Sequence, residues 1–195
     1  MTCRAEIFGI TLCLLHTLLL MDRNMIYIQH YNSCLGGIAL ASDGDALTGL
    51  WFDGQKYFAG NIDDEIEKED VPVFVQARQW LDIYFSGHDP GFTPALTLNS
   101  TPFRRAVWEI LLTIPFGKTM TYGEIAANIA GQKGYRRMSA RAVGSAVGHN
   151  PISLIIPCHR VVGADGSMTG YAGGIDRKIK LLGMERSACV GTVPH

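Results

Sequence analysis

Between Asp89 and Phe103 the chain reads DPGFTPALTLNSTPF, rich in Pro, Thr, Ser and Gly, and the sign of its charge reverses there. Residues 1–100 carry 5 Lys/Arg against 13 Asp/Glu, a net of −8, whereas residues 101–186 carry 12 against 5, a net of +7. A stretch of this composition breaks helices and central strands, so it marks a boundary between two folding units at residues 90–101. The overall net charge of −1 therefore hides a basic half suited to a polyanion and an acidic half that stays out of such contact. Mutual neutralisation of the two halves is the other arrangement that charge alone permits.

With 195 residues, 47% of them hydrophobic, the chain can bury one or two small cores. Its 5 cysteines (Cys3, Cys13, Cys34, Cys158 and Cys189) are odd in number and form no CxxC pair. That pattern argues against a disulfide framework or a zinc ribbon and for a reducing compartment. The apolar run from Ile7 to Leu20 follows Arg4, but no A-x-A-like cleavage site comes after it and it is too short to span a membrane. Residues 1–24 read as an N-terminal extension, with a signal segment or a buried helix as alternatives. Either Met21 or Met25 could begin the working domain.

From Ile26, IYIQHY, GGIALAS and ALTGLWF are strand-like, with DGD as a turn, which predicts a small meander. The acidic stretch FDGQKYFAGNIDDEIEKED reads as a loop. VPVFVQARQWLDIYFSG predicts a helix with Val71, Val75, Trp80, Ile83 and Tyr84 as its apolar stripe and Gly87 as its stop. Beyond the boundary, FRRAVWEILLTIP places Val107, Ile110, Leu111 and Ile114 on one helical face. In TYGEIAANIAG, Thr121 and Glu124 have the spacing of a capping box, and Gly131 closes the helix. SARAVGSAVGHNP follows a basic connection, with Ser139 as cap and Asn150-Pro151 as stop. Two short helices joined by such a turn predict a helix-turn-helix variant.

The second of these helices is built from Ala140, Ala142, Gly144, Ser145, Ala146 and Gly148, with Arg141 as its one long side chain. Reading base edges in the major groove needs several long polar side chains, which are missing here. Small residues instead allow close backbone approach, either to another helix or to a narrow nucleic-acid groove gripped through its phosphates. The surrounding positive charge favours the groove. Arg141 could then pair with a phosphate or fill the gap left by an extruded base.

LIIPCHRVV, Leu154 to Val162, interrupts an apolar run with a thiol. Pro157 suits the first position of a helical turn, so SLII is expected as a strand ending in a turn that holds Cys158 at a positive helix end. His159 and Arg160 adjoin it. All three features would lower the thiol pKa and favour the nucleophilic thiolate. Sequence neighbours do not face each other in regular structure, so His159 would act through a water or a tight turn. Downstream, GYAGG reads as a flexible loop. A last helix places Ile175, Ile179 and Leu182 on one side and ends at Glu185, leaving residues 187–195 as a tail. Cysteine, histidine and a remote carboxylate form a nucleophile, base and orienter, without fixing whether an acyl or an alkyl carbon is attacked. A cysteine hydrolase and a winged-helix regulator with a structural cysteine stay open on the residues alone.

RAVGSAVGHNP, IPCHRVV and GYAGG, in this order and spacing, resemble the O6-alkylguanine-DNA alkyltransferases (methylated-DNA–protein-cysteine methyltransferases). The resemblance covers residues 102–186 closely and residues 25–95 more loosely, the latter through SCLGGIALASDGDALTGLWF. It implies an α+β fold: a small N-terminal mixed α/β, ribonuclease H-like domain (25–95) and a C-terminal winged helix-turn-helix-like DNA-binding catalytic domain (101–186). The implied function is DNA repair by direct damage reversal, in which one molecule irreversibly takes one alkyl group from guanine O6, with O4-alkylthymine a further substrate candidate.

Carried over by position, Cys158 is the acceptor, His159 its base through a water, and Glu185 the orienter of His159. Asn150 ties the helix end to the active-site turn. Tyr122 meets the departing guanine and crowds the adjacent phosphate. Arg141 takes the vacated place in the stack, on a minor-groove helix that includes Ala140, Ala142 and Gly144. The carbonyls of Cys158 and Val161 and amides near Tyr171 and Ala172 recognise the base; Ala172 stands where some members have serine. The resemblance implies no cofactor, and Cys34 lacks the partners of the zinc site that some members carry. It implies a monomer on double-stranded DNA, away from membranes, located in the cytoplasm with the nucleoid in a bacterium or in the nucleus of a eukaryote. Relatives that flag damage without repairing it have lost the cysteine, which stands here.

Overall fold

The structure is a computed structural model describing residues 25–57, 65–67 and 71–191. The run Ile7–Leu20 lies outside the described residues. Strands β1 (Ile26–Ser33), β2 (Gly36–Ser42) and β3 (Leu47–Phe52) form the expected antiparallel meander. Period-2 alternation sends Ile38, Leu40, Leu50 and Phe52 into the main core, while Ile28, Ala41 and Trp51 make a smaller cluster. In the DGD turn the Asp43 carboxylate accepts the amides of Asp45 and Ala46.

The acidic stretch departs from its reading as a loop. Within it, β4 (Glu65–Glu67) pairs parallel with β1, giving the order β3-β2-β1-β4. Three residues, Glu-Ile-Glu, are too few for their alternation to stand out in an acidic stretch; the open edge of β1 specifies the strand. The opposite edge, β3, takes two segments from further along the chain. Leu47 bridges Leu96 of the connecting segment, and Leu50 bridges Ile152 beside the cysteine loop. Leu50 N–H donates to Pro151 O at 2.9 Å, and Ser153 N–H to Leu50 O at 2.8 Å.

Helix α1 (Pro72–Phe85) begins with Pro in its first turn and buries Val73, Phe74, Ala77, Trp80, Leu81 and Tyr84. Of the stripe expected there, Val71, Trp80 and Tyr84 are buried, but Val75 is 52% exposed and Ile83 only partly covered, because residues 73 and 77 complete the inward face with 80 and 84. Helix α2 (Pro102–Leu112) and the turn after it bury Val107, Ile110, Leu111 and Ile114 as expected, and also Trp108. Helix α3 (Tyr122–Lys133) carries the predicted capping box. It outlasts Gly131 by two residues and is closed by Gly134, whose φ of 66° is the left-handed conformation of a C-terminal cap. Helix α4 (Ala140–Gly148) is capped by Ser139, whose side chain accepts Ala142 N–H. It packs on α2 through the Trp108 indole N–H, which donates to Ala146 O at 2.9 Å.

The expected SLII strand does not form. Ile152 makes the single bridge to Leu50, and Leu154 adopts φ 68° in a series of turns. Asn150 accounts for the curl, since its side chain bonds both the N–H and the C=O of Ile152. A 3-10 turn (Cys158–Arg160) leads into β6 (Val161–Val162), which pairs parallel with β5 (Met120–Thr121).

Helix α5 (Ile175–Gly191) passes Glu185 without stopping, so the segment expected as a tail begins inside it. Its inward face differs in part from expectation: Leu182 is buried as expected, but Ile175 is 39% and Ile179 51% exposed, and Lys178, Leu181 and Glu185 are buried instead. One core runs through both halves of the chain, from Phe52, Phe74 and Tyr84 to Val107, Val143, Ile156 and Leu181. No helix among the described residues is long and apolar enough to cross a membrane.

Thr121 sets where α3 begins and so where Tyr122 points. Thr121→Ala removes an acceptor for Glu124 N–H and should lower stability by about 1 kcal/mol, read from urea denaturation midpoints.

Candidate active site

Cys158 lies where the Asn150 turn, the 3-10 turn and the β5–β6 pair converge. It is 3% exposed. The Asn150 side-chain amide donates to Ile156 O at 2.8 Å and to Cys158 Sγ at 3.1 Å. One asparagine thus fixes the loop and gives the sulfur a polar partner.

The thiol itself behaves differently from the sequence expectation. Burial pushes its pKa up to about 11, and the Asn150 hydrogen bond and the Lys178 charge only partly counter this. A three-residue helical turn supplies little dipole, and the two basic neighbours expected to assist are turned elsewhere. His159 Nε2 lies 2.8 Å from Glu185 Oε1, and Arg160 donates to both Glu185 oxygens, Nε at 3.1 Å to Oε2 and Nη2 at 3.1 Å to Oε1. At neutral pH the sulfur therefore holds its proton and needs a base to remove it.

Glu185 is fully buried, yet it is an anion. Burial alone would raise its pKa, but the hydrogen bonds and charges of His159 and Arg160 outweigh that and hold it at about 2. An ionised carboxylate only accepts, so the proton of His159 sits on Nε2 and the lone pair on Nδ1. Burial also keeps the His159 pKa low, which favours the neutral ring. Nδ1 is buried and has no hydrogen-bond partner among the described residues. The arrangement delivers a neutral imidazole with a free basic nitrogen, one residue from the thiol.

The roles of four further participants were not legible in the sequence. Arg160 was expected to act on the sulfur but pairs with Glu185 and also donates to Ile114 O at 2.6 Å. Gly117 N–H donates to Glu185 Oε2 at 3.0 Å. The Tyr84 hydroxyl, from the first half of the chain, donates to Glu185 Oε1 at 2.8 Å. Lys178, wholly buried, donates to Val161 O and to Thr169 O, and burial drops its pKa to about 8. The signal available for Lys178 was its spacing from Glu185: residues 178, 181, 182 and 185 form one helical face.

The remaining expected residues surround this centre. The half-buried Tyr122 donates its hydroxyl to Thr169 O at 3.2 Å and Gly170 O at 3.3 Å, bonds long enough to be exchanged for a ligand. A Cβ on Gly144 would stand 3.7 Å from the Tyr122 ring, so α4 packs closely on this tyrosine. Arg141 and Ala140 are exposed, and Ala142 partly so, on the face of α4 away from Val143, Ala146 and Val147. Lys133, Arg136 and Arg137 are exposed in or beside the α3–α4 turn. Tyr171 is buried edge-on to His159, ring centroids 6.4 Å apart. Ala172 is partly exposed, and its C=O accepts Lys56 N–H at 3.1 Å. The Val161 carbonyl, expected to face a base, already accepts Lys178, and Cys158 O accepts Val161 N–H; each oxygen keeps a second lone pair. Among the described residues no group of three His, Cys, Asp or Glu side chains could hold a metal ion.

Fold and site define a class: a helix-turn-helix protein with a buried thiol backed by a histidine–carboxylate relay. Residues 26–98 match the ribonuclease-like domain of 6-O-methylguanine DNA methyltransferase, and residues 102–187 match its DNA binding domain. A methylated-DNA–protein-cysteine methyltransferase of Mycobacterium tuberculosis is 45% identical over 163 residues, 84% of this chain and 94% of the relative. One of Methanosarcina acetivorans is 41% identical, covering 83% of this chain and 99% of the relative. The M. tuberculosis OGT solved in complex with DNA superposes with a TM-score of 0.72 at 41% identity, covering 84% of this chain and 94% of the other. This chain belongs to the 6-O-methylguanine DNA methyltransferase family.

The Glu185 pKa has a consequence for acid stability. A carboxyl at 4.5 when unfolded and about 2 when folded stabilises the protein above pH 4.5 by about 3 kcal/mol, a contribution lost as pH falls towards 2. Glu185→Gln should lower stability at pH 7 by about 3–5 kcal/mol, because Arg160 loses its anion, and should flatten the decline between pH 4.5 and 2. Denaturant midpoints measured across that range provide the check.

Proposed function

We propose that this chain repairs DNA by direct reversal, with Cys158 taking the alkyl group from guanine O6 and each molecule acting once. The observation that carries this reading is the buried Cys158 thiol, tethered by Asn150 beside a neutral His159 with an unoccupied Nδ1, on a helix-turn-helix unit. Family membership supports the same chemistry. The working protein is a monomer on double-stranded DNA, built from an N-terminal unit (25–95) and a catalytic unit (101–186), in the nucleoid or nuclear compartment where its substrate lies.

The roles rest on the family resemblance, and the positions of these residues support them. Attack inside a duplex requires the nucleotide to leave the stack, at a cost of a few kcal/mol that a damaged, weakly paired base reduces. The α4 surface of Ala140, Ala142 and Gly144 approaches the minor groove, and Arg141 occupies the gap. Tyr122 gives up its hydrogen bonds to Thr169 and Gly170 to meet the extruded guanine. The base edge lies against the Cys158 and Val161 carbonyls and the amides near Tyr171 and Ala172. Sγ then bonds to the alkyl carbon as the carbon–O6 bond breaks, while the thiol proton passes through a water to His159. The departing guanine takes a proton from the Tyr122 hydroxyl and the His159 proton returns through water to that oxygen, so the sulfur ends with the alkyl group and the purine with the thiol's proton in its place. Because the resting thiol is protonated, it stays inert until a substrate and base act together. O4-alkylthymine is a further candidate substrate for the same pocket.

The test is mass spectrometry after mixing with duplex DNA containing O6-methylguanine. One methyl on the Cys158 peptide per molecule is expected; an unmodified peptide from folded protein overturns the reading. Cys158→Ala should keep DNA affinity and show no transfer. Arg141→Ala should slow repair of duplex DNA more than reaction with free O6-alkylguanine, and equal slowing would reduce Arg141 to a structural part.

A further inference from the structure

The mechanism above uses no side chain from the first half of the chain, yet one reaches its centre. Tyr84 sits in the last turn of α1 and is completely buried. Its ring stacks on Trp80, centroids 5.1 Å apart, and meets Phe85 and Phe116 edge-on at 5.4 and 5.9 Å. That packing leaves the hydroxyl one direction to point: 2.8 Å from Glu185 Oε1 and 3.3 Å from His159 Nε2. A phenol could have been a phenylalanine here at no loss of packing. An oxygen placed in an apolar cage, against the carboxylate of the relay, calls for a role.

We propose that Tyr84 is a positioning residue for alkyl transfer, through which the N-terminal unit sets the basicity of His159. The proposal rests on the repair reading given above. Glu185 Oε1 accepts from His159 Nε2, Tyr84 Oη and the Arg160 guanidinium. Arg160 already neutralises part of that oxygen, and the phenol holds it in line with the imidazole and takes up a further part of its negative charge. The Arg160 and Lys178 charges, which also face His159, stay in place when Tyr84 is altered. Less charge facing Nε2 means a less stable imidazolium, hence a ring that stays neutral and ready at lower pH. The 3.3 Å contact with Nε2 pulls the opposite way, because the phenol oxygen can accept from the imidazolium. The shorter bond, to an anion, is the stronger of the two and decides the sign. The phenol also stays protonated, since burial and the Glu185 charge raise its pKa well above the usual tyrosine value.

Two variants test this with opposite expected signs. Tyr84→Phe keeps the ring and removes the donor, so the ascending limb of the pH–rate profile for methyl transfer should move up by about 0.5–1 unit. The His159 titration, followed by 15N NMR in DNA-free protein, should move with it. Replacing Tyr84 by 3-fluorotyrosine makes the phenol a stronger donor and should shift both curves to lower pH. A purely structural role predicts a lower melting temperature and a rate reduced evenly at every pH, with no shift in either curve; that outcome overturns the proposal. Trp80→Phe, which disturbs the same packing without touching the carboxylate, should lower the melting temperature and leave the His159 titration in place. If wild-type protein transfers no methyl group, the repair reading fails through the mass assay, whereas His159 still titrates and reports on Tyr84 separately.

Discussion

Donors from four residues converge on the buried Glu185 carboxylate: His159, Arg160, Tyr84 and Gly117. The rest of the site depends on this one anion. Removing a carboxylate from water costs several kcal/mol unless charge and hydrogen bonds replace the solvent, and here they do on both oxygens. The price of that burial is met by contributions from α1, the α2–α3 connection, the 3-10 turn and α5, so the elements must assemble together for the anion to exist. Its effect is specific. It fixes the proton of His159 on Nε2 and leaves Nδ1 as the base.

The same water-free environment governs the sulfur, with the opposite result. Cys158 has one hydrogen-bonding side chain and one buried cation near it, too little to offset desolvation, so the thiol stays protonated. Two acidic groups in one core are thus driven apart, one to about 2 and the other to about 11, by the number and charge of their partners. A protonated resting thiol suits a protein that can react once. It is spared adventitious oxidation and alkylation until a substrate fills the site.

Much of this was legible along the chain because it is local. The Thr121–Glu124 capping box, the Ser139 cap and the core face of α2 follow from residues three or four apart. Cys158, His159, Asn150 and Glu185 stood out by chemical type and through resemblance. The failures share a cause as well. The strand at Glu65–Glu67 exists because β1 offers an open edge, and SLII curls because Asn150 binds across it. The face of α5 was misassigned because Lys178 and Glu185, residues that normally face water, point inward with partners from other elements.

What the sequence by itself determined is the set of reactive groups and the short-range elements that carry them, since hydrogen-bond caps, turn residues and helical periodicity act within a few positions. Only the tertiary structure decided which protonation state each group takes and which distant side chains enforce it. Tyr84 lies 101 residues from Glu185, and Arg160 turns from its neighbour Cys158 to a carboxylate 25 residues away. Desolvation and ion pairing depend on what surrounds a group in space, and that surrounding forms only when both halves of the chain close on a single core.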